Sequence, residues 1–389
     1  MRLAPFGALW FCYFATQGLF SPYSPLWLQS MGLSTLAIGL YSALQSGTRL
    51  VAPYAWGWLA DHGGRRAYLI RVAAVLSTLA AFSLGWAGNG WMLVLAVALL
   101  YLANGGMVPI AETLALKQLH GAQGLDARRY GRIRLWGSVG FIAAVMLGGP
   151  LLQWTGVAAL PWITCAIYAA VALAAWRLPS APADPLSPAQ RLSIWPVLRR
   201  PEVAWFFGGT MLTVLAHTAL YAFFSIYLDS LGHSKAVVGL VWGVGVLAEI
   251  VFFATQGRWL ARGTDLKWLH AVALVTALRF ACTAAFGHWL ALLLLVQLSH
   301  AITFAAHHSG CTSVIARHFP DRLRGRGSAL YTTLGYGVPG VLGGIAGGVL
   351  VQAMGLESVF WAASAAGLAA ALCYRRAMAH AAGQGAAMA

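Results

Sequence analysis

Two ionisable residues stand in the middle of long apolar stretches of this chain, Arg49 and Glu249. A charge at the centre of a hydrocarbon layer costs at least about 2.5–3.5 kcal/mol, so such residues face a protein interior and carry function by default. The two lie 200 positions apart and have opposite signs. An Arg–Glu pair of this kind can form and break. Burial favours the neutral acid and a nearby guanidinium favours the carboxylate, so a change in their separation moves a proton. Glu249 is therefore the leading candidate proton carrier, and Arg49 a candidate anchor for an anionic solute. The alternative is a static pair that orients two helices.

A third group of candidates follows in the sequence: His300, His307 and His308. Seven residues separate His300 from His307, which places them on one helix face with Phe304 between them. Imidazole titrates near neutral pH, as a proton relay requires. Metal binding is the weaker reading, because zinc takes three or four protein ligands and only Cys311 is nearby; no metal or other cofactor is assigned. A hydrogen-bonded packing histidine is the bland alternative, strongest for His308. Gln17 and His217 fall on each other at the 200-residue offset and are polar in apolar surroundings, which makes both candidates for contact with the solute. Tyr13, Tyr23, Tyr221 and Phe224 could wall a ring-bearing solute, although aromatic side chains are also common packing residues in membrane helices. Glu112 is expected to pair with Lys117 or to gate, and Asp229 to sit at an outer rim or gate.

The elements that must hold these residues are set by composition. Hydrophobic residues make up 60% of the 389 and charged residues 9%, with mean hydropathy +0.71. One soluble core cannot hide that much apolar surface. A crossing needs about 20 apolar residues, and twelve stretches qualify: 4–29, 36–60, 69–87, 91–114, 135–154, 158–177, 203–229, 236–259, 267–286, 289–314, 327–352 and 357–375. They are too long for barrel strands, and a helix satisfies its own backbone. The prediction is an all-α membrane protein. Net charge is +15, but the basic residues recur at alternate turns and form no nucleic-acid face. That pattern predicts an inner-membrane protein with both termini in the cytoplasm. The first apolar stretch shows no clear cleavage site and is read as a crossing. Five cysteines stand singly, with no metal or redox spacing.

Residues 178–202 carry six prolines and divide the chain, giving an N-terminal six-helix bundle at 1–177, a cytoplasmic linker, a second bundle at 203–376 and a tail at 377–389. Part of the linker, 190–200, is apolar and basic and suits the inner membrane surface. The halves repeat. A slide of 200 brings Leu28, Ser30, Gly32, Ser34 and Gly39 onto Leu228, Ser230, Gly232, Ser234 and Gly239; a slide of 195 brings Gly148 and Gly149 onto Gly343 and Gly344. Two pseudo-symmetric bundles about a linker are a transporter signature. Gly335, Gly337, Gly340, Gly343, Gly344, Gly347 and Gly348 in the eleventh stretch read as close helix packing, with Pro339 as a kink.

Between the second and third crossings, Gly57-Trp58-Leu59-Ala60-Asp61-His62-Gly63-Gly64-Arg65-Arg66 resembles the loop motif of the major facilitator superfamily. The resemblance implies a conformational latch at Asp61, Arg65 and Arg66; the matching loop, Gly257 to Gly263, lacks the Asp. Pro22-Tyr23, Tyr130 to Ser138, Tyr221 to Leu228 and Gly325 to Tyr331 are similar to the phenylpropionate-permease branch, which is related to the lactose permease and nucleoside symporter groups. That likeness implies proton-coupled uptake of a small organic solute. It also implies, as in the lactose permease group, a working set of Glu249, Arg279 and either His300 or His307. An aromatic carboxylate suits the branch; a sugar or nucleoside suits the wider group. Efflux by antiport is the rival, weakened because Gly148-Gly149-Pro150 only partly matches the antiporter element Gly-Pro-x-x-Gly-Gly. A membrane enzyme is disfavoured, since no Gly-x-Ser-x-Gly, His-Glu-x-x-His or Cys-x-x-Cys occurs. The expected partners are solute, proton and lipid, with no nucleic acid and a monomeric state.

Overall fold

The polar backbone of a segment in lipid has no water to bond, so each crossing must close its own hydrogen bonds. The computed structural model describes residues 4–63, 65–88, 90–121, 124–125, 127–179, 193–258, 265–319 and 321–387. The first half forms α1 (Ala4–Ser30), α2 (Thr35–Gly63), α3 (Arg66–Leu84), α4 (Gly90–Asn104), α5 (Met107–Leu119), α6 (Ala127–Thr155) and α7 (Leu160–Trp176). The second half forms α9 (Pro201–Ser230), α10 (Lys235–Thr255), α11 (Asp265–Phe286), α12 (Leu290–Leu298), α13 (His307–His318), α14 (Asp321–Thr332), α15 (Val338–Met354) and α16 (Glu357–Ala387), after a short α8 (Trp195–Leu198). Among the described residues, 10 helical segments are long and apolar enough to cross a membrane. Helices α1 and α2, at 27 and 29 residues, are also long enough; Gln17, Gln45 and Arg49 make them less apolar. Among the described residues, the one strand pairing is a two-residue antiparallel contact, His120–Gly121 with Gly124–Leu125.

Three expected crossings are interrupted rods. The fourth breaks between α4 and α5 at Gly105 and Gly106. A side chain at Gly105 would strike the Ala52 methyl, and one at Gly106 the Trp56 ring. Trp56 donates its indole N–H to the Leu102 carbonyl at the break, at 2.7 Å. The tenth crossing runs α12, a π-helical turn at Ala301–Ala306, then α13; the eleventh runs α14, a π turn at Thr333–Gly337, then α15. Pro339 follows the second π turn and opens the straight part of α15, so the wide turn precedes the proline. Residues 180–192 of the expected linker lie outside the described residues. Pro201, assigned to the linker, instead starts α9, where a missing N–H costs nothing. The expected tail is helical as far as Ala387.

The repeat is visible in local geometry. Gly32 and Gly232 both take left-handed φ, 81° and 82°, and Gly156 and Gly355 both take 85°. Only glycine adopts that conformation without strain. Ser30 and Ser230 donate back to the carbonyls of Trp27 and Tyr227 at 2.7 and 2.8 Å. Ser34 and Ser234 accept from the amides of Ala37 and Val237 at 3.2 and 3.3 Å, capping the next helix in each half.

The chain falls into two compact units. One comprises Met1–Gly32, Gly47–Pro188 and Ser234–Leu240; the other comprises Leu33–Ser46, Ala189–His233 and Val241–Ala389. In the first, α1 packs on α6 and α7, and α3 on α4 and α7. In the second, α9 packs on α15 and α16, and α11 on α13 and α16. The first turns of α2 and α10 are placed by glycine. In the second unit Gly39 lies against the backbone of Gly344 and Gly348; in the first, Gly239 lies against the Val145 carbonyl and the Tyr23 hydroxyl.

Candidate functional site

Each unit holds its own polar site. In the second, Glu249 on α10, Arg279 on α11 and His300 between α12 and the π turn form one chain of contacts. Glu249 Oε1 is 2.7 Å from His300 Nε2. On the other edge of that ring, Arg279 Nη1 donates to His300 Nδ1 at 2.7 Å. The same nitrogen donates to Thr303 Oγ1 at 2.7 Å, and Nη2 donates to Gln297 Oε1 at 2.5 Å. The guanidinium also lies over Phe280, 5.4 Å from its centroid. Phe304 stacks on His300 at 5.3 Å. Arg279 and His300 are 3% and 4% exposed. A buried charge is tolerable only when paired and hydrogen-bonded, and this set meets the condition.

The chemistry of the donors fixes the proton. Arginine only donates, so His300 Nδ1 accepts and the ring proton lies on Nε2, facing Glu249. The Glu249 carboxylate accepts that Nε2–H, and it can take up a proton on its other oxygen without disturbing the ring or Arg279. His217, on α9, has its ring 6.1 Å from that of His300 and edge-on to Phe280 at 5.5 Å. Its Nδ1 donates to the Thr213 carbonyl at 2.8 Å. Its Nε2 is buried without a hydrogen-bond partner among the described residues.

His307 belongs to a different network. Its Nε2 lies 3.1 Å from the Tyr374 hydroxyl and 3.5 Å from Cys311 Sγ, and Tyr374 reaches Thr210 Oγ1 at 3.3 Å. The pairing of His300 with His307 on one α-helical face does not hold as drawn, because the π turn between them adds a residue to the turn. His308 is exposed, with Nδ1 3.4 Å from the Tyr331 hydroxyl.

In the first unit, Tyr13, Gln17, Thr48, Arg49, Pro53, Tyr101, Asn104 and Gly105 enclose a cavity of about 110 Å³. The helix break at Gly105 forms one wall. Asn104 is held by donation to the Tyr168 hydroxyl at 2.9 Å. Arg49 is exposed and has no carboxylate partner among the described residues. A guanidinium, two amides and two phenols converge there, which suits a small anion carrying an apolar or aromatic body.

Several expected roles change with position. The Tyr23 hydroxyl donates to the Val145 carbonyl at 2.7 Å with the ring fully buried, so it fastens α1 to α6. Phe224 is buried between Trp242 and Phe360 in the core. Tyr221 lies tilted against Trp242 at 6.0 Å. Glu112 pairs with Arg134 at 3.8 Å where Lys117 was expected; the Arg134 guanidinium stacks over Trp10 and Phe14 at 5.1 and 5.3 Å, which turns it toward α5. Arg279 has its donors committed to His300, Thr303 and Gln297. Arg49 and Glu249 fall in different units. In the loop motif, the Asp61 side chain lies outside the described residues, Arg65 is exposed and Arg66 opens α3. Asp229 is half-buried near the end of α9, where its carbonyl accepts from the Gly232 amide.

Sequence reading missed Gln297, Thr303, Tyr101, Asn104 and Asp265. Gln297 and Thr303 each lie three residues from His300, a spacing that signals neighbours on a helix. Asp265, at the start of α11, takes Arg317 at 2.5 Å and Ser313 at 3.0 Å.

A membrane-length helical repeat with paired charges inside it defines a secondary transporter of the major facilitator type, not an enzyme. The MFS_1 like family model matches residues 4–362, and the chain belongs to that family. It is 29% identical to the probable 3-phenylpropionic acid transporter of Escherichia coli (strain K12), over 90% of this chain and 92% of that one. It is 26% identical to the maltose permease of Geobacillus stearothermophilus, over 92% and 90%. The crystal structure of the nucleoside transporter NupG superposes with TM-score 0.85 at 17% identity, over 97% of this chain and 99% of that one.

Proposed function

We propose that this protein is a proton-coupled symporter that takes up a small organic acid, with an aromatic carboxylate as the favoured solute. The observation that carries the proton reading is the Glu249–His300–Arg279 chain, in which a buried carboxylate that can gain and lose a proton accepts the Nε2–H of an imidazole held by a fixed guanidinium. The solute reading rests on Arg49 in the cavity with Gln17, Tyr13 and Tyr101. The likeness to a probable phenylpropionic acid transporter supports the same class. His217, first considered for solute contact, is assigned to the proton site by its nearness to His300. Asp61, Arg65, Arg66, Glu112 and Asp229 act at the gates. The basic turns place both termini in the cytoplasm of an inner-membrane monomer. A sugar or nucleoside is the second reading, since the cavity also carries Asn104 and Thr48 as neutral hydrogen-bonding groups.

Proteoliposomes with an imposed proton gradient test this. Symport predicts concentrative entry of an aryl carboxylate when the outside is acidic. Exclusion under the same gradient establishes antiport, and entry indifferent to the gradient refutes coupling. Competition by sugars and nucleosides at equal potency removes the carboxylate assignment.

A further inference from the structure

Arg279 and His300 Nδ1 cannot both present hydrogen to each other. While the guanidinium donates at 2.7 Å, that nitrogen must keep its lone pair. Arg279 is not free to drift, because Thr303 and Gln297, on the same rod as His300, hold its two terminal nitrogens at 2.7 and 2.5 Å. The neutral imidazole is thereby fixed with its proton on Nε2, against Glu249. A second proton has one place to go, Nδ1, and its arrival turns an acceptor into a donor facing a donor. The bond to Arg279 then breaks. The nearest imidazole with an unused acceptor is His217, whose buried Nε2 has no partner and whose ring is 6.1 Å away. A modest ring movement or one bridging water spans that separation.

We infer that Gln297 and Thr303 are positioning residues that set the His300 tautomer through Arg279, and that His217 Nε2 receives the His300 Nδ1–H once a second proton displaces Arg279. The inference deepens the symport reading and rests on it for its role in transport. The step balances simply: one proton passes from water to His300 Nδ1, the Arg279 Nη1–H bond to that nitrogen is lost, and a bond from Nδ1–H to His217 Nε2 is gained. Among the described residues, the charged and titratable groups around the pair are Glu249 from α10 and Arg279 from α11, with Tyr221 of α9 beside Arg279 and with His307 and His308 further along α13. The π turn Ala301–Ala306 begins directly after His300, where a backbone of non-α register can absorb the ring movement.

Nitrogen-15 histidine NMR on the full chain in lipid tests this without any transport assay, with the His300 signal assigned by loss in His300→Asn. At alkaline pH the signal should show hydrogen on Nε2 and a bare Nδ1. Gln297→Leu combined with Thr303→Val should admit the Nδ1–H tautomer at an equal or greater share. His217→Phe should leave the alkaline tautomer unchanged, and the second proton on His300 should then demand roughly tenfold more acid. His217→Gln keeps an acceptor and should restore most of that loss, which separates a polar role from packing. Hydrogen on Nδ1 in the unaltered protein, or a titration midpoint indifferent to His217→Phe, overturns the inference. Either result leaves proton-driven uptake standing, and failure of uptake leaves the tautomer result standing, so the two claims fail separately.

Discussion

Replacing Glu249 by Gln keeps the size of the side chain and removes its charge. In the intact site the carboxylate and the Arg279 guanidinium flank one imidazole, each at 2.7 Å from a ring nitrogen. The opposite charges therefore lie roughly 7 Å apart, which at an effective dielectric constant of about 20 is an attraction of about 2 kcal/mol. Glu249→Gln leaves the guanidinium buried without compensation, and Arg279→Gln leaves the carboxylate in the same condition. Removing one partner of a buried pair costs about 3–5 kcal/mol. The double variant has no buried charge left to compensate, so its loss should fall short of the sum of the singles by about 2 kcal/mol. The assay is reversible unfolding of the four proteins in lipid bicelles, arranged as a double-mutant cycle. Losses that add to within about 0.5 kcal/mol mean that the charges do not feel each other through His300, and the buried chain described above would be wrong.

Four further outcomes follow from the geometry. Arg49→Ala should weaken binding of an aryl carboxylate by about 1.5–3 kcal/mol, the usual worth of a charged hydrogen bond, read by calorimetry, with the neutral amide of the same compound unaffected. Gly232→Ala should destabilise by about 1–2 kcal/mol because φ is 82° there, whereas Gly257→Ala, with open space around it, should be near neutral in the same melting assay. Gly239→Val drives a side chain into the Val145 carbonyl and the Tyr23 hydroxyl, so it should lower the melting temperature more than the equivalent change at Gly257. Asp265→Asn releases Arg317, which is 57% exposed, so its cost should be no more than about 1 kcal/mol and should shrink with added salt.

Much of the fold was legible because lipid imposes a length and a polarity on every crossing. The repeat was legible for a second reason: Gly32 and Gly232 end equivalent helices in a conformation that demands glycine, so the chemistry of a helix end was written twice. The interruptions were not legible. Gly105-Gly106 looks like a flexible pair in an apolar run, and only the seating of Trp56 and Ala52 shows why the rod breaks there. The π turn after His300 leaves no mark in composition, yet it separates His300 from His307 and gives them different partners. Glu249, Arg279 and His300 could be named from their types and a family likeness, but the order of contacts between them depends on side-chain direction. Gln297 and Thr303 were passed over because neutral polar residues in an apolar helix are individually unremarked; their meaning lies in the guanidinium they hold. Tyr23 and Phe224 erred the other way, as aromatic residues in membrane helices fill cores more often than they line cavities.

The most direct test of the central claim compares accumulation with exchange in Glu249→Gln. Proteoliposomes holding the unaltered protein should concentrate an aryl carboxylate under an inward proton gradient and should also swap labelled for unlabelled solute with no gradient. The variant should retain the swap and lose the concentration. Gradient-driven accumulation by Glu249→Gln at the unaltered level would contradict the account, since residue 249 could then carry no proton beside His300.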